Sequence, residues 1–311
     1  MLGLAATVAG CSTPFDQAQP VLRVANQKGT LRSIMLASTA LEDTPYQVEW
    51  SEFGAASPLL EALAAGAVDL GAIGEAPFAF AVANGAPIVA VTALAARFGG
   101  RSVAIIVPQK SSIHDVTGLV DHRVATVRGS VGHYLLIRAV QLAGIDPRRV
   151  DTVFLAPAEA KAALAEGSID GWATWSPYIG IATGSGENRV LVDGTGFFSG
   201  ISYVAAHRSA AATKAPLISD FLARLGRAQA WGHANPDRYA AALAAETHLP
   251  LAVARDTIDR QNLSVTSINA TVVASTAETL RHFHEAGVIS SLPDLTDAFS
   301  DQFNVPKEIV Q

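Results

Sequence analysis

The sequence predicts an α/β protein built as two similar lobes, and three observations carry that prediction. Residues 62–69 read ALAAGAVD and residues 163–170 read ALAEGSID. In each copy a helical Ala/Leu run stops at a glycine, Gly66 or Gly167, and a short apolar strand follows. Around these copies short apolar runs alternate with Ala-rich helical runs, which is the grammar of β-α-β units. From Pro216 onward the pattern is helical, so a helical tail must pack back on the lobes, and the first lobe is its expected partner.

Composition agrees and removes several function classes. Half of the 311 residues are hydrophobic and only 16% are charged, which is enough apolar surface for a core in each lobe. The net charge of −6 comes with no basic stripe, so nucleic acid is not the expected partner. No apolar run reaches the ~18 residues that cross a bilayer. Cys11 stands alone, which rules out an internal disulfide and a CxxC metal site. Met1 to Cys11, MLGLAATVAGC, is apolar and uncharged, and Val8-Ala9-Gly10-Cys11 resembles the lipobox that ends a bacterial lipoprotein signal peptide. That resemblance implies lipidation of Cys11 and a periplasmic or cell-surface location. The charged leader segment is lacking, so the true start is expected upstream. Residues 1–20 then read as a signal remnant and a polar, Pro-containing tether.

In the first lobe, Val21 to Ala25 reads as a strand and ends at the polar turn Asn26 to Thr30, followed by a helical run over 31–41. Tyr46 to Phe53 alternates as a second strand. Ser57 is the expected N-cap of the next helix, with Pro58 at its first position. Val68 to Ile73 and Pro87 to Leu94 read as strands, separated by a helix that starts at Gly74-Glu75-Ala76-Pro77. Ser102 to Pro108 is almost wholly apolar and reads as a buried strand connecting the lobes. In the second lobe a short helix is expected over 112–119, a strand over 123–127, the turn 128–133 and a helix over 134–143. Strands at 150–155 and 169–175 flank a helix over 157–165. Strands at 189–192 and 203–206 complete the unit, the last as the return crossing. The tail is expected as helices over 218–235, 238–247, 251–259 and 273–286, with an extended break at 265–268. The lobes are thus residues 21–104 plus 206–311, and residues 105–205.

In open α/β sheets ligands sit outside the carboxyl ends of strands, beside helix N-termini. Four turns have that placement: 26–30, 54–57, 74–77 and 128–133. Each combines small and polar residues that leave backbone N–H groups approachable, and a helix N-terminus favours an anion. Gly129 to His133 lacks the Lys-Ser/Thr of a P-loop and the GxGxxG of a dinucleotide fold, which argues against nucleotide binding. Trp172 and Trp175 point to opposite faces of one strand, so Trp172 reads as core, while Trp175 suits either core or cleft. Arg260 reads either as a surface arginine or as a bidentate anion partner. There is no HExxH, no His/Cys/Asp set at metal-ligand spacing and no GxSxG elbow. Neither a metal nor a cofactor is expected, and catalysis is not.

With these residues assembled, the chain resembles the periplasmic solute-binding proteins of ABC importers, in the branch that binds aliphatic sulfonates, taurine and nitrate. NQKGT (26–30), EFGAASPLLEALAAGAVDLGAIGEAP (52–77), VRGSVGHYLLIRAVQLAGID (127–146) and LAPAEAKAALAEGSIDGWATWSPY (155–178) carry the resemblance, joined by DGTG (193–196) and YVAAH (203–207). It implies the bilobal periplasmic-binding-protein fold, type II, with two crossing strands as hinge. It also implies a small organic anion such as an alkanesulfonate as ligand, a membrane permease as partner, a lipid anchor and a monomer. By position it implies ligand contacts from Gln27, Gly29, Thr30, Ala55, Ser57, Gly74 and Glu75 in the first lobe. Ser130, Gly132, His133 and Trp175 follow from the second, and Arg260 from the tail as a sulfonate partner. Two positions depart from the family pattern: Ser176 replaces an acidic residue after the second Trp, and Glu75 replaces an Asp. Other readings on the same fold are a binder of nitrate, an aromatic sulfonate or a pyrimidine vitamin precursor, and a desulfinase-like enzyme. The last would need a cleft Cys or a His cluster.

Overall fold

The structure is a computed structural model that describes residues 19–304, so Cys11 lies outside the described residues. β1 (Val21–Gln27), β2 (Gln47–Phe53) and β3 (Leu70–Gly74) are parallel and are joined by α1 (Thr30–Ala37) and α2 (Ala56–Ala64). α3 (Glu75–Ala83) leads to β4 (Ile88–Ala96). The second unit comprises β5 (Gly100–Pro108), β6 (Arg123–Thr126), α4 (Val131–Leu142), β7 (Asp151–Phe154), α5 (Pro157–Ala165), β8 (Gly171–Trp175), α6 (Tyr178–Thr183) and β9 (Asn188–Gly194). β10 (Ile201–His207) returns to the first unit, followed by α7 (Arg208–Thr213), α8 (Ala215–Ala234), α9 (Pro236–Thr247), α10 (Leu251–Gln261), β11 (Leu263–Thr266) and α11 (Ala270–Glu285). The strands form two sheets, ordered β11-β4-β10-β3-β1-β2 and β7-β6-β8-β5-β9.

The two α/β units follow the doubled stretch closely. Gly66 (φ 69°) and Gly167 (φ 72°) both adopt the left-handed conformation that closes a helix. Asp69 and Asp170 then play the same part in their units: each accepts the backbone N–H of an arginine on the neighbouring strand, Arg23 or Arg123, at 2.8 Å. Each arginine also donates to the carbonyl of a residue just before its aspartate, Ala67 or Ser168.

The chain changes sheet between Ala96 and Gly100 and returns between Gly194 and Ile201. Changeovers at 104/105 and 205/206 would fall inside β5 and β10. Instead β5 pairs only with β8 and β9, and β10 only with β3 and β4. An apolar run locates a buried strand but does not say which sheet buries it. At this hinge Gly100 and Gly194 pair so closely that a Cβ on either would lie 2.4 Å from the other's carbonyl oxygen.

Several elements differ from expectation. The helix expected over 112–119 is a single 3₁₀ turn, Val116–Leu119, capped by the Asp115 carboxylate. Gly118 and the shortness of the run deny it a stable helix. α2 begins at Ala56, with Ala55 as its extended N-cap, so Ser57 lies in the first turn and caps nothing. α4 begins at Val131, three residues earlier than its apolar pattern indicates, because Ser130 Oγ accepts the His133 N–H and fixes the start. The break in the tail is β11, an edge strand antiparallel to β4.

The tail packs on both lobes rather than on the first alone. α8 and α9 cover the first sheet, with Phe221, Leu222, Leu225 and Leu243 in its core. α10 reaches the second unit, where Arg260 donates to the Arg101 carbonyl at 3.4 Å. Leu280 and Phe283 of α11 pack between Ala76 and Ala79 of α3 and Tyr134 and Ile137 of α4. α11 therefore ties the two lobes together outside the hinge. An amphipathic stripe on a tail helix fixes that it is buried, but not by which neighbour.

Candidate functional site

The lobes meet over a cavity of about 130 Å³, enough for several waters or one small organic molecule. Its first wall comes from the carboxyl ends of β1 and β3 and the starts of α1, α2 and α3. Gln27, Thr30, Ala56, Gly74 and Pro77 face it there. The opposite wall is Ser130, Val131, Trp175 and Ser176 at the start of α4 and the end of β8. Leu94, Val103, Phe198 and Leu263 close much of the remainder, together with Ser102, Ser202 and Gln261. No charged side chain lines this space among the described residues.

The lobes touch around the cavity. The Tyr178 hydroxyl donates to the Gly54 carbonyl across the gap at 2.7 Å. Phe80 of α3 lies so close to Gly129 that a Cβ there would sit 2.5 Å from its ring. Ala55 is packed into the hydrophobic core of the second lobe. This is a closed arrangement.

Hydrogen-bond donors on the two walls are not equivalent. At the start of α1 they are already used: Leu31 and Arg32 N–H both donate to the buried Asn26 Oδ1 at 3.1 Å, and Gly29 N–H donates to Glu52 Oε1 at 3.1 Å. Turn 26–30 therefore offers side chains, Gln27 and Thr30, rather than a free helix end. α2 and α3 have no side-chain cap, and Ala56, Gly74 and Pro77 at their starts line the cavity, where the positive end of a helix dipole favours an anion. On the far wall, Trp175 Nε1 and Ser176 Oγ are buried without a hydrogen-bond partner among the described residues. Leaving such a group unpaired costs about 1–3 kcal/mol, which makes these two atoms the strongest local indication of a polar ligand. Trp172 is core, as the alternation on β8 indicates, and Tyr178 packs between the two tryptophans at ring separations of 5.9 and 5.7 Å.

Five of the residues expected at the site line the cavity: Gln27, Thr30, Gly74, Ser130 and Trp175. The other seven stand around it. Gly29 is pressed against Glu246 and Thr247 of α9. Ala55 and Ser57 flank Ala56, which is the lining residue. Gly132 lies in the first turn of α4, packed on the backbone of Ala173. His133 is buried, accepts the Gly129 N–H through Nδ1 at 3.2 Å and packs on Phe154 and Phe283; burial and the nearby Arg128 hold its pKa down to about 4. Arg260 spends Nε on both oxygens of Asp256 at 2.8 Å, one turn back on its own helix. Ser176, the departure after the second Trp, also lines the cavity, and Val131 and Gln261 join it without being among the expected contacts. These two depend on where α4 starts and how the tail docks.

Glu75 turns away from the cavity. Its carboxylate accepts from Ser199 of the return crossover at 3.3 Å and from Thr276 of α11 at 3.2 Å. Burial pushes its pKa up to about 7, against the lowering effect of these hydroxyls. A carboxyl with a raised folded pKa holds a proton that the unfolded chain has lost, so its contribution to stability falls as pH rises from 4.5 to about 7. The melting temperature of Glu75→Gln is therefore expected to gain on that of the wild type over this interval. Parallel melting curves against pH would show that Glu75 is ionised throughout.

Two α/β lobes joined by two crossovers, with a closed cleft lined by neutral donors, define a bilobal periplasmic binding protein. Residues 47–239 match the NMT1/THI5-like family model. The chain is 33% identical over 284 residues to an Escherichia coli (strain K12) protein named for binding aliphatic sulfonates, covering 90% of this chain and 88% of that one. The chain belongs to the NMT1/THI5-like family, in its aliphatic-sulfonate-binding branch. Its fold matches the periplasmic aliphatic sulphonate binding protein SsuA from Escherichia coli with a TM-score of 0.81 at 31% identity, over 92% of this chain and 94% of that one. It matches the alkanesulfonate-binding protein SsuA from Xanthomonas axonopodis pv. citri, bound to MOPS, with a TM-score of 0.85 at 29% identity, over 91% and 99%.

Proposed function

We propose that the protein is the substrate-binding component of an ABC importer, that it closes on an alkanesulfonate and that it delivers it to a membrane permease. The supporting observation is the pair Trp175 Nε1 and Ser176 Oγ, two buried donors without partners among the described residues, on residues that line an uncharged cavity. A sulfonate is a fully ionised monoanion with three acceptor oxygens. Fixed neutral donors and helix dipoles can hold it without a buried counter-ion, whose desolvation would offset much of the gain. The apolar side of the cavity accounts for the organic substituent. An acidic residue at 176 would oppose the anion, so serine there favours a simple anionic head.

In this reading Gln27, Thr30, Gly74, Ser130, Trp175 and Ser176 touch the ligand, with Ala56 between Ala55 and Ser57. Gly29, Glu75, Gly132, His133 and Arg260 act from behind, fixing the walls and the docking of the tail. The lobes pivot at 97–99 and 195–200, and Tyr178 meets Gly54 on closure. The protein works as a monomer in the periplasm, held to the membrane by a lipid on Cys11, and it does not turn its ligand over.

Calorimetric titration of the full chain with ethanesulfonate, taurine, sulfate and nitrate tests the assignment. Micromolar or tighter binding of a sulfonate is expected, with the inorganic anions weaker. No heat with any sulfonate would sink the ligand class, and chemical conversion of the ligand would sink the transport role.

A further inference from the structure

α3 of the first lobe and α4 of the second exchange side chains at their starts. Val131, the first residue of α4, lies over Gly74, the N-cap of α3. A Cβ on Gly74 would sit 2.6 Å from Val131 Cγ1, nearer than such atoms pack. In the reverse direction Phe80 of α3 lies over Gly129, just ahead of α4. Gly129 has a φ of 70°, so its backbone by itself favours glycine. Gly74 is different. Its φ of −68° and ψ of 159° suit any residue. The other atoms a Cβ would meet belong to Pro77, at 3.5 and 3.6 Å, which is ordinary contact. Only the opposite lobe excludes a side chain here.

Neither partner can give way within its own lobe. Val131 is β-branched and stiff at χ1 in a helix. α4 is itself seated, because Gly132 rests on the Ala173 backbone of β8 too closely to admit a Cβ, and Ser130 Oγ accepts the His133 N–H. Gly74 is the last residue of β3 and pairs with Ser202 of β10. A methyl group between Gly74 and Val131 is therefore relieved by moving the lobes apart. The contact lies near the return crossover: Phe198 and Gly200 line the same cavity, and the Phe198 ring is 5.7 Å from that of Tyr134, in the same helix as Val131. A wedge close to a pivot produces a larger separation at the far rim, where Tyr178 reaches Gly54.

We infer that Gly74 is the steric stop of lobe closure: the bare Cα lets Val131 seat, and so sets how far the lobes shut on the ligand. Gly74 is then a positioning residue as well as part of the cavity wall, a role that rests on the protein being one that closes on a sulfonate.

Calorimetry with ethanesulfonate on four forms of the full chain tests this: wild type, Gly74→Ala, Val131→Ala and the double variant. Gly74→Ala is expected to weaken binding about 30-fold in the wild-type background and less than about three-fold in the Val131→Ala background, where Cγ1 is gone. An equal loss in both backgrounds would mean that Gly74 serves the ligand directly and would overturn the stop, as would unchanged affinity in Gly74→Ala. Spin labels carried on Glu61→Cys of α2 and Lys161→Cys of α5, both exposed positions, in a Cys11→Ser chain read the lobe separation without relying on affinity. Wild type and the double variant are expected to reach the short separation of the closed form, and Gly74→Ala a longer one. Equal separations in wild type and Gly74→Ala, both free and with ethanesulfonate, would overturn the stop. A melting temperature of Gly74→Ala far below that of the wild type would place the strain within a lobe and overturn it too. If ethanesulfonate binds none of the four forms, the sulfonate reading falls, and the label separations of the free proteins still decide the stop.

Discussion

Trp175→Phe combined with Ser176→Ala is expected to lower ethanesulfonate affinity by about 100-fold or more, with each single change costing about ten-fold. Both substitutions remove a donor while keeping most of the shape of the wall. Trp175 Nε1 and Ser176 Oγ are buried and unpartnered among the described residues, and in the proposed bound state each gains a hydrogen bond to a charged group. Such bonds contribute about 1.5–3 kcal/mol each. The indole ring also packs at 5.7 Å against Tyr178, which in turn reaches Gly54 on the other lobe, and phenylalanine keeps part of that contact. The loss should therefore appear in affinity and not in the stability of the free protein. Titration calorimetry reads the first and thermal melting the second. Removing an unsatisfied buried donor should even raise the melting temperature of the free protein slightly. Unchanged affinity in the double variant would remove β8 from the ligand-binding surface.

The second large effect separates the two copies of the repeat. Asp69→Asn is expected to destabilise the protein by about 3 kcal/mol, and Asp170→Asn by less than about 1 kcal/mol. Asp69 is 1% exposed and accepts three charged or backbone donors: Arg23 N–H at 2.8 Å, the Arg23 guanidinium at 2.6 Å and Lys214 Nζ at 2.7 Å. Lys214 also reaches the Val21 carbonyl, so this carboxylate fastens the start of β1 to the start of α8. Asp170 keeps the equivalent N–H from Arg123, but its side chain is 41% exposed and its remaining partner is His122 at 3.2 Å. Water and salt screen that pair. Burial by itself would raise the Asp69 pKa, but the bonds from Arg23 and Lys214 outweigh it and hold the carboxyl below its ordinary value of 3.8. The stabilisation is thus present above that value and lost as pH falls through the lowered one. The melting difference between wild type and Asp69→Asn should shrink in acid. Equal melting losses for the two variants at neutral pH would mean that burial does not set the cost.

Much of the site was legible because it is built at places the local pattern marks. Gly66 and Gly167 announce where helices end, and the strands after them deliver Gly74 and Trp175 to opposite walls. The doubled stretch itself is structural rather than ligand-binding: its aspartates clamp neighbouring strands, and only the loops that follow reach the cavity. The start of α1 looked as open as those of α2 and α3. It is closed by Asn26 and Glu52, and that pairing depends on β1 and β2 lying side by side in register. Arg260 suited an anion in sequence, but Asp256 sits one helical turn away and takes its guanidinium.

The sequence by itself determined the two-lobed α/β architecture, the helix stops and the family, because periodicity, glycine caps and long motifs are local properties of the chain. Only the tertiary structure decided which sheet β5 and β10 join, that the tail bridges both lobes, and which polar groups are buried unpaired beside the cavity. Those features depend on contacts between residues far apart in sequence, such as Glu75 with Thr276 or Tyr178 with Gly54, and no local pattern encodes them.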